Sequence, residues 1–344
     1  MDRVHLAISE FLQRHAVRRS NALLLAVSGG GDSVAMLHAL SALGQRVAAA
    51  HVHHGLRGAS AELDLELVRE RSAKLGVPFF EAHVDARTPD GRSPEARARV
   101  LRYGALERLR ADHGFALIAT GHTLDDQAET LLLRAIRGTS PGGLGGIAAR
   151  AETEAGARVL RPLLGLRREE LRSYLRTRGL TWREDPGNRD PGVPRSRVRC
   201  DVLPVLEQIH AGATEQLAML AGRVQSDEAW LSQKVAEVLE RAVLSPGSDE
   251  PGSDDAAFRV RIAPLADLDR PLRLRALAQV LSRAGLVEHL SGSHIERLDR
   301  FILGAIGGRS LSLPADSLAV RDSGCLVILR DQRLPAMRRR GSAS

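Results

Sequence analysis

Six consecutive residues near the N-terminus have the composition of a phosphate-binding loop. They are Ser28, Gly29, Gly30, Gly31, Asp32 and Ser33, between an apolar run at 22–27 and a helical pattern that begins at 33. Glycine adopts positive φ angles at little cost, so three in a row allow a tight turn and close approach to a bound group. The N–H groups of such a turn and of the helix behind it form an anion site. We therefore expect residues 28–33 to bind phosphate.

Two better-known phosphate motifs do not fit this loop. The Walker motif requires a lysine here, and the first lysine of the chain is Lys74. The dinucleotide fingerprint requires glycine at its sixth position, where counting from Gly29 gives Val34. Asp32 is a candidate metal ligand, because a carboxylate about 4 Å from a phosphate oxygen costs about 4 kcal/mol at an effective dielectric of about 20. A Mg²⁺ ion between the two groups removes that repulsion. The alternative is a glycine turn in which Asp32 caps the helix.

The loop, in its place between strand and helix, resembles the PP-loop of the N-type ATP pyrophosphatases. These enzymes bind ATP, cleave it between the α and β phosphates and adenylate a carbonyl oxygen, so that a nucleophile displaces AMP. Further segments narrow the resemblance: HVHHGLRG at 51–58, EARARVLRY at 95–103, GHTLDDQAET at 121–130, LLLRAIRGTSPGGLGGI at 131–147, RPLL at 161–164 and EDPGNRDPGVPRSRVR at 184–199. In this order and spacing, residues 28 to about 204 resemble the tRNA(Ile)-lysidine synthetases.

This resemblance implies an ATP- and Mg²⁺-dependent ligase that modifies tRNA. Members adenylate the C2 oxygen of the wobble cytidine in a tRNA(Ile) with a CAU anticodon. The side-chain amine of L-lysine then attacks, which gives lysidine, AMP and pyrophosphate. The chain departs from the family pattern at three positions: the family has Asn where His53 stands, a second His where Thr123 stands and, more often, Asn where Ser196 stands.

The acids of the segment 121–130 have two interpretations. Thr123 can cap a helix whose first turn holds Asp125 and Asp126, and acids there suit the helix dipole. Asp125 and Glu129, however, stand four residues apart and repel each other, which favours a bound cation. In the interpretation that the resemblance implies, Asp125, Asp126 and Glu129 are catalytic together with Asp32. They hold Mg²⁺ or the lysine amine, and one of them accepts the proton that the ammonium loses before it attacks.

Basic residues of the matching segments are candidates for contacts with ATP or with the tRNA. Arginine suits this role because its guanidinium group binds phosphate with two parallel hydrogen bonds. The alternative is a charged face in solvent. The candidates are His54, Arg57, Arg97, Arg99, Arg102, Arg137, Arg195, Arg197 and Arg199.

Strands and helices alternate along the first half of the chain. Apolar runs at 22–27, 46–52, 77–84 and 115–120 predict strands, and patterns at 33–43, 61–75, 94–113 and 124–137 predict helices. Strands alternating with helices of this length indicate βαβ units, hence an α/β fold whose parallel sheet has helices on both faces, in the PP-loop and Rossmann-like manner. Near-continuous apolar strands agree with such a sheet.

The domain prediction divides the chain at changes of composition. Residues 1–210 form the catalytic domain, and residues 211–255 form a helical connector that ends in the acidic, flexible segment SPGSDEPGSDD at 245–255. Residues 256–333 form a smaller, mainly helical α/β domain for tRNA binding, helical over most of 259–305, with short strands at 311–313, 318–321 and 326–329. Residues 334–344 form a disordered basic tail.

Composition limits the class of protein. The 344 residues carry 49 Lys and Arg against 42 Asp and Glu, a net charge of +7 that fits a nucleic-acid partner or an arginine-rich genome. No apolar run approaches the roughly 20 residues of a membrane helix, and no signal peptide is visible, so we expect a cytoplasmic protein.

Two other functions are weighed against the ligase. A PP-loop enzyme that transfers sulfur to a tRNA base usually needs paired cysteines or an iron–sulfur cluster, and Cys200 and Cys325 form no CxxC motif. A basic RNA-binding protein with a degenerate loop would not need the acids at 32, 125, 126 and 129.

Overall fold

The chain forms two compact units, Met1–Gln225 and Ser226–Ser344. The computed structural model describes residues 2–53, 59–88, 91, 93–153, 156, 158–184, 187, 190–244, 257–286, 291–304 and 310–329. The predicted acidic linker at 245–255 and the predicted basic tail at 334–344 lie outside these residues. The unit boundary falls within a long helix, and the predicted tRNA-binding role of residues 256–333 stays a prediction.

The first unit is built around one six-stranded sheet. Its strands are β1 (Leu23–Ala26), β2 (Val47–His53), β3 (Phe79–His83), β4 (Leu117–Thr120), β5 (Arg150–Glu152) and β6 (Arg158–Leu160). Its helices are α1 (Arg3–Arg14), α2 (Gly31–Ala42), α3 (Ala59–Lys74), α4 (Pro94–Asp112), α5 (Leu124–Arg137), α6 (Arg168–Arg176), α7 (Pro194–Arg197) and α8 (Leu203–Ile209), and α9 (Ala213–Ala242) continues into the second unit. Two short helical turns complete the first unit. One is a 3₁₀ turn, Pro141–Gly145, which is wound more tightly than an α-helix, and the other is a wider π-helical turn, Val198–Val202.

The strand order of this sheet is β3-β2-β1-β4-β6-β5. All neighbouring pairs are parallel except β5 with β6, an antiparallel edge that the sequence pattern did not predict. The predicted α/β fold with its parallel sheet is confirmed. The carboxyl ends of β1, β4 and β6 therefore meet at one edge of the sheet, where ligands bind in open α/β folds.

Helices cover both faces of the sheet, as predicted. Leu23 and Leu25 face a core shared with α1, α2 and α6, whereas Leu24 between them faces a core shared with α4. Because successive side chains of a strand point to opposite faces, a strand buried on both sides must be apolar throughout. The unbroken run of leucines in β1 has this cause.

Tyr174 connects three helices on one face of the sheet. Its hydroxyl lies 2.7 Å from His38 Nδ1 on α2 and 3.0 Å from His5 Nε2 on α1, and burial raises the pKa of this phenol to about 12. The Arg178 guanidinium carbon lies 3.9 Å from the centroid of the Tyr174 ring. Since α2 begins at the glycine loop, the hydrogen bond between Tyr174 on α6 and His38 on α2 fixes α6 relative to that loop.

In the described residues, the second unit packs the end of α9 and three further helices on a five-stranded antiparallel sheet. The helices are α10 (Ala263–Ala266), α11 (Arg270–Arg283) and α12 (Gly292–Ile302), and the strands are β7 (Val243–Leu244), β8 (Ala257–Arg261), β9 (Ser310–Leu313), β10 (Ser317–Asp322) and β11 (Cys325–Leu329), in the order β7-β8-β11-β10-β9. The three predicted strands are confirmed. Residues 259–305 are helical over most of their described length, as predicted, but they begin with the end of strand β8, where Val260 is fully buried.

We expect Tyr174→Phe to lower the free energy of unfolding of the first unit by about 1–2 kcal/mol, because two histidines lose a hydrogen-bond partner. Urea unfolding followed by Trp182 fluorescence, in a Trp230→Phe background, measures this unit. Ser173→Ala, an exposed change on the same helix, is the control. An unchanged midpoint for Tyr174→Phe would show that the contact does not fix α6.

Candidate active site

The predicted phosphate loop runs from the end of β1 into the first turn of α2. Gly29 has a φ of +88°, a left-handed conformation that favours glycine, and a Cβ there would lie 3.4 Å from Asp64 Cβ. The Ser33 hydroxyl donates to the Gly30 carbonyl oxygen at 2.9 Å and accepts from the Ser28 N–H at 3.2 Å. The loop is therefore held in its turn by its own serines.

Helix α2 begins at this loop without a capping side chain. Its N-cap residue is Gly30, whereas side chains cap α1, α4 and α5. The first N–H groups of α2 thus remain available to an anion, which the helix dipole also favours. The alternative in which Asp32 caps this helix is wrong, because Asp32 lies inside its first turn and its carboxylate accepts from Arg168.

The Asp32 carboxylate has little positive charge around it. A quarter (25%) of its side chain is exposed, and in the described part of the chain its one hydrogen-bond donor is Arg168 Nε at 3.3 Å. Burial raises the pKa of Asp32 to about 6, which outweighs the opposite effect of Arg168, and the nearby Asp126 adds to the increase. A largely buried, ionised carboxylate is stabilised when a further cation binds to it.

The predicted catalytic acids lie together in what we call the acid–arginine cluster. Four carboxylates and four guanidinium groups form it, so the formal charges balance. Its members are Asp32, Asp125, Asp126, Glu129, Arg167, Arg168, Arg195 and Arg199. They come from α2, α5, α6 with its N-cap, α7 and the π-helical turn.

Glu129 is the most deeply buried acid of the cluster. Its side chain is 0% exposed and its oxygens accept from Arg168 Nη1 at 3.3 Å, Arg195 Nε at 2.8 Å and Arg199 Nε at 2.7 Å. A buried carboxylate is tolerated only when it is paired and hydrogen-bonded. Glu129 therefore fixes three arginines from three separate segments.

Asp126 takes part both in the cap of helix α5 and in the acid–arginine cluster. Thr123 caps α5, and Asp126 Oδ2 accepts from the Thr123 N–H at 2.8 Å in a capping box. The other oxygen, Oδ1, accepts from Arg168 Nη2 at 3.1 Å and Arg195 Nη2 at 3.0 Å. Burial raises the pKa of Asp126, but these two arginines outweigh it and hold that pKa below its usual range. Oδ2 of the neighbouring Asp125 accepts a hydrogen bond from the backbone N–H of Arg168 at 2.7 Å.

Arg167 and Arg168 are functional candidates that the sequence reasoning missed. Arg167 is the N-cap residue of α6 and Arg168 its first residue. Positive side chains at the positive end of a helix are unfavourable unless acids face them. That unfavourable charge, two residues after the RPLL segment at 161–164, was the available signal.

The predicted basic residues that the structure describes make different contacts. Arg195 and Arg199 bind the acids of the cluster, and Arg197 lies 3.5 Å from Asp201. Arg97 is buried and donates to the Ala86 carbonyl oxygen at 3.0 Å.

Three further candidates, Arg99, Arg102 and Arg137, lie apart from the cluster acids in the described residues. Arg99 and Arg102 lie against the ring of Tyr103, and Arg137 is exposed at the end of α5. His54 and Arg57 fall outside the described residues. Contacts with RNA or ATP stay predictions for all nine.

The three departures from the family pattern each have a local contact. Thr123 makes the capping box, and Ser196 Oγ donates to the Gly187 carbonyl oxygen at 3.1 Å. His53 Nε2 lies 3.7 Å from a carboxylate oxygen of Glu62. These contacts hold the loops around the site.

Neither a metal-ligating group of side chains nor a membrane helix is present in the described ranges. Those ranges contain no group of three His, Cys, Asp or Glu side chains placed to hold a metal ion. Both cysteines are free, Cys200 in the first unit and Cys325 in the second. None of the helices in the same ranges is both long and apolar enough to span a membrane.

Comparison with known proteins identifies the family. The model of the PP-loop domain family matches residues 2–206. The tRNA(Ile)-lysidine synthase of Streptomyces coelicolor is 38% identical over 312 residues, which cover 89% of this chain and 84% of that protein. The chain belongs to the tRNA(Ile)-lysidine synthase family. The family member from Geobacter sulfurreducens is 33% identical, with 93% of this chain and 68% of that protein covered.

Family members differ in length from this chain. The tRNA(Ile)-lysidine synthase of Thermus thermophilus is 40% identical over 317 residues, 91% of this chain, and the chain spans 58% of its length. Among solved structures, the U34-tRNA thiolase NcsA of Methanococcus maripaludis has a TM-score of 0.55 at 19% identity, with 65% of this chain and 78% of that chain covered. This likeness shows a shared fold alone.

We expect Glu129→Gln to lower the free energy of unfolding of this lysidine synthase family member by about 3 kcal/mol, since three arginines lose the charge that balances them. Glu169→Gln removes an equal charge from an exposed pair with Arg176 on α6 and should cost no more than about 0.5 kcal/mol. Urea unfolding measures both. Equal effects would mean that Glu129 does not organise the cluster.

We expect Asp32→Asn to change how stability depends on pH. The pKa of Asp32 is raised from 3.8 to about 6, so the folded state binds more protons than the unfolded state between these values, and wild-type stability falls there as pH rises. The variant should match the wild type below pH 4 and exceed it by about 3 kcal/mol above pH 6, because each pKa unit corresponds to about 1.36 kcal/mol. A pH series of urea unfolding tests this, and parallel profiles would contradict the raised pKa.

Proposed function

We propose that the chain is a cytoplasmic tRNA(Ile)-lysidine synthetase, a ligase that joins L-lysine to the wobble cytidine of a tRNA with a CAU anticodon. ATP is converted to AMP and pyrophosphate. The observation that carries this proposal is the acid–arginine cluster beside an uncapped glycine loop. The loop offers N–H groups to an anion and the cluster offers carboxylates to a cation, and this combination supports the proposal.

Residues 28–33 bind the phosphates of ATP in this proposal. The free N–H groups at the start of α2 point to this role, together with the close approach that Gly29 and Gly30 allow. The negative charge of the triphosphate also attracts Arg168, which lies 3.3 Å from Asp32 within the loop. As Arg168 turns toward phosphate, the carboxylates that it balances become available to other cations.

Asp32 fits the role of a Mg²⁺ ligand. Its carboxylate offers hard oxygen donors, and its pKa is raised because burial outweighs the opposite effect of the nearby arginines. Mg²⁺ is commonly bound by one or two carboxylates together with substrate phosphates, and Asp32 is the carboxylate of this loop. When bound, the ion would neutralise charge on the phosphates during adenylation.

The acids of α5 bind the amine of lysine in this proposal. Asp125 lies at the edge of the cluster, with its side chain 14% exposed, whereas Glu129 is fully buried. A carboxylate beside the substrate ammonium orients it and accepts its proton before attack. The amine nitrogen then bonds to C2 of the cytidine, and the bond from C2 to the adenylated oxygen breaks to release AMP.

We expect the protein to transfer radiolabelled lysine to an unmodified tRNA(Ile) with a CAU anticodon in the presence of ATP and Mg²⁺. Digestion to nucleosides should place the label in a cytidine-derived product. The same tRNA with uridine at the wobble position is the substrate control. Asp32→Asn should reduce AMP release at least 100-fold and leave tRNA affinity within a few-fold.

Asp112→Asn, an exposed change at the end of α4, controls for the loss of a single acid. Folded protein that places no label in cytidine-derived material would reject the proposed reaction. A large loss of tRNA affinity in Asp32→Asn would reject the role given to Asp32 while leaving the reaction standing.

A further inference from the structure

Residues 181–184, which follow α6, lie against the phosphate loop, and we call them the brace. The backbone N–H of Arg183 donates to the Gly29 carbonyl oxygen at 3.1 Å. The side chain of Arg183 pairs with Asp64 on α3, and a Cβ at Gly29 would lie 3.4 Å from the Cβ of the same Asp64. The brace and α3 therefore hold the loop together at Gly29.

The indole of Trp182, in the middle of the brace, lies on Gly31. A Cβ at Gly31 would lie 3.2 Å from Trp182 Cδ1 and 3.4 Å from its Cγ and Nε1. The first of these distances is shorter than a Cβ normally keeps from a neighbouring atom. Since Gly31 is the first residue of α2, the indole contacts this helix at the end that offers its free N–H groups.

Position 31 requires glycine for a different reason from position 29. Gly29 has a left-handed φ of +88°, whereas Gly31 lies in the first turn of a helix, where other residues are more stable than glycine. For a Cβ at Gly30, the nearest described atom would be Ser28 Oγ, at 3.5 Å. At Gly31, by contrast, Trp182 occupies the space that a side chain would need. The third glycine of the loop is therefore explained by the indole.

A hydrogen bond and a packing contact hold the indole in this place. Trp182 Nε1 donates to Glu184 Oε1 at 3.0 Å, and Arg172 Nη2 on α6 donates to the same oxygen at 3.0 Å. The indole also packs against the apolar core that α1, α2 and α6 share. Because Glu184 is bound to α6 in this way, the indole keeps its position relative to both α6 and α2.

We propose that Trp182 is a positioning residue, whose indole holds the glycine loop and the first turn of α2 in the geometry that binds phosphate. Three successive glycines give a chain many alternative conformations, and a ligand binds more weakly to a loop that it must first order. The indole removes this freedom by acting through Gly31, and it needs no contact with the ligand. The inference rests on the phosphate-binding role proposed for residues 28–33.

A double-mutant cycle between Trp182 and Gly31 tests this contact. Calorimetry measures the affinity for inorganic pyrophosphate and for ATP, in the absence of tRNA and lysine. We expect Trp182→Leu to weaken the binding of both ligands about tenfold, because the loop loses its support. Gly31→Ala should weaken it about tenfold in the wild-type chain but no more than about threefold in Trp182→Leu, because the shorter leucine leaves room for the new Cβ.

Gly30→Ala is the matched control, because a Cβ there does not meet the indole. Its effect on affinity should be the same with tryptophan or leucine at position 182. Trp182→Phe should stay within about threefold of the wild type, since an aromatic ring still fills the space. Equal losses for Gly31→Ala in the two chains, or unchanged affinity in folded Trp182→Leu, would overturn the proposal. A lowered urea midpoint with unchanged affinity would assign Trp182 to stability alone.

If Trp182→Leu does not fold, Glu184→Ala tests the same role from an exposed position. Loss of this negative charge alone would strengthen the binding of an anion. We expect pyrophosphate to bind about threefold more weakly instead, because the indole loses its hydrogen bond. Glu169→Ala removes an exposed acid that also pairs with an arginine of α6, and it should not weaken binding. Unchanged or stronger binding in Glu184→Ala would then overturn the proposal.

The binding assays also separate this inference from the proposed reaction. Wild-type protein that binds ATP and pyrophosphate but transfers no lysine would reject the reaction and leave the role of Trp182 standing. Wild-type protein that transfers lysine, with no loss of affinity in folded Trp182→Leu, would reject the role of Trp182 alone. Folded wild-type protein that binds neither ligand would reject both.

Discussion

The burial of one carboxylate organises this site. Glu129 is fully enclosed, and such a group persists only because Arg168, Arg195 and Arg199 all donate to it. Those arginines come from α6, from α7 and from the π-helical turn, so one side chain of α5 fixes where three other segments lie. Removing any one of these arginines leaves part of the buried charge of Glu129 unbalanced. The three segments are therefore held in the positions that let their arginines reach Glu129.

The parallel sheet makes this convergence possible. Since β1, β4 and β6 run in the same direction, the residues after each strand meet at one edge. The glycine loop follows β1, the acids follow β4, and the arginines of α6 follow β6. The apolar cores on both faces hold that edge rigid, and the hydrogen bond between Tyr174 and His38 joins α6 to α2. Positioning of the charges is therefore a property of the whole first unit.

Local patterns predicted what local physics determines. The glycine loop, the four apolar strands and the Thr123 cap could be inferred because turns, alternation and caps depend on residues close in sequence. The pairing of Arg168 with Glu129 could not, because 39 positions separate these residues and only the fold brings them together. Strand β8 was not predicted, because its pairing partner β11 lies far along the chain.

An enzyme that uses ATP and an amine must accommodate an anion and a cation in one small volume. Fixed charges of one sign would favour one substrate and exclude the other. In the acid–arginine cluster, each carboxylate pairs with at least one guanidinium group, so the free protein avoids the cost of isolated buried charges. A triphosphate competes for the arginines and thereby leaves acids for the cation, whereas an ammonium arriving first meets acids that are already paired. In the proposed reaction, this pairing would therefore favour the binding of ATP before lysine.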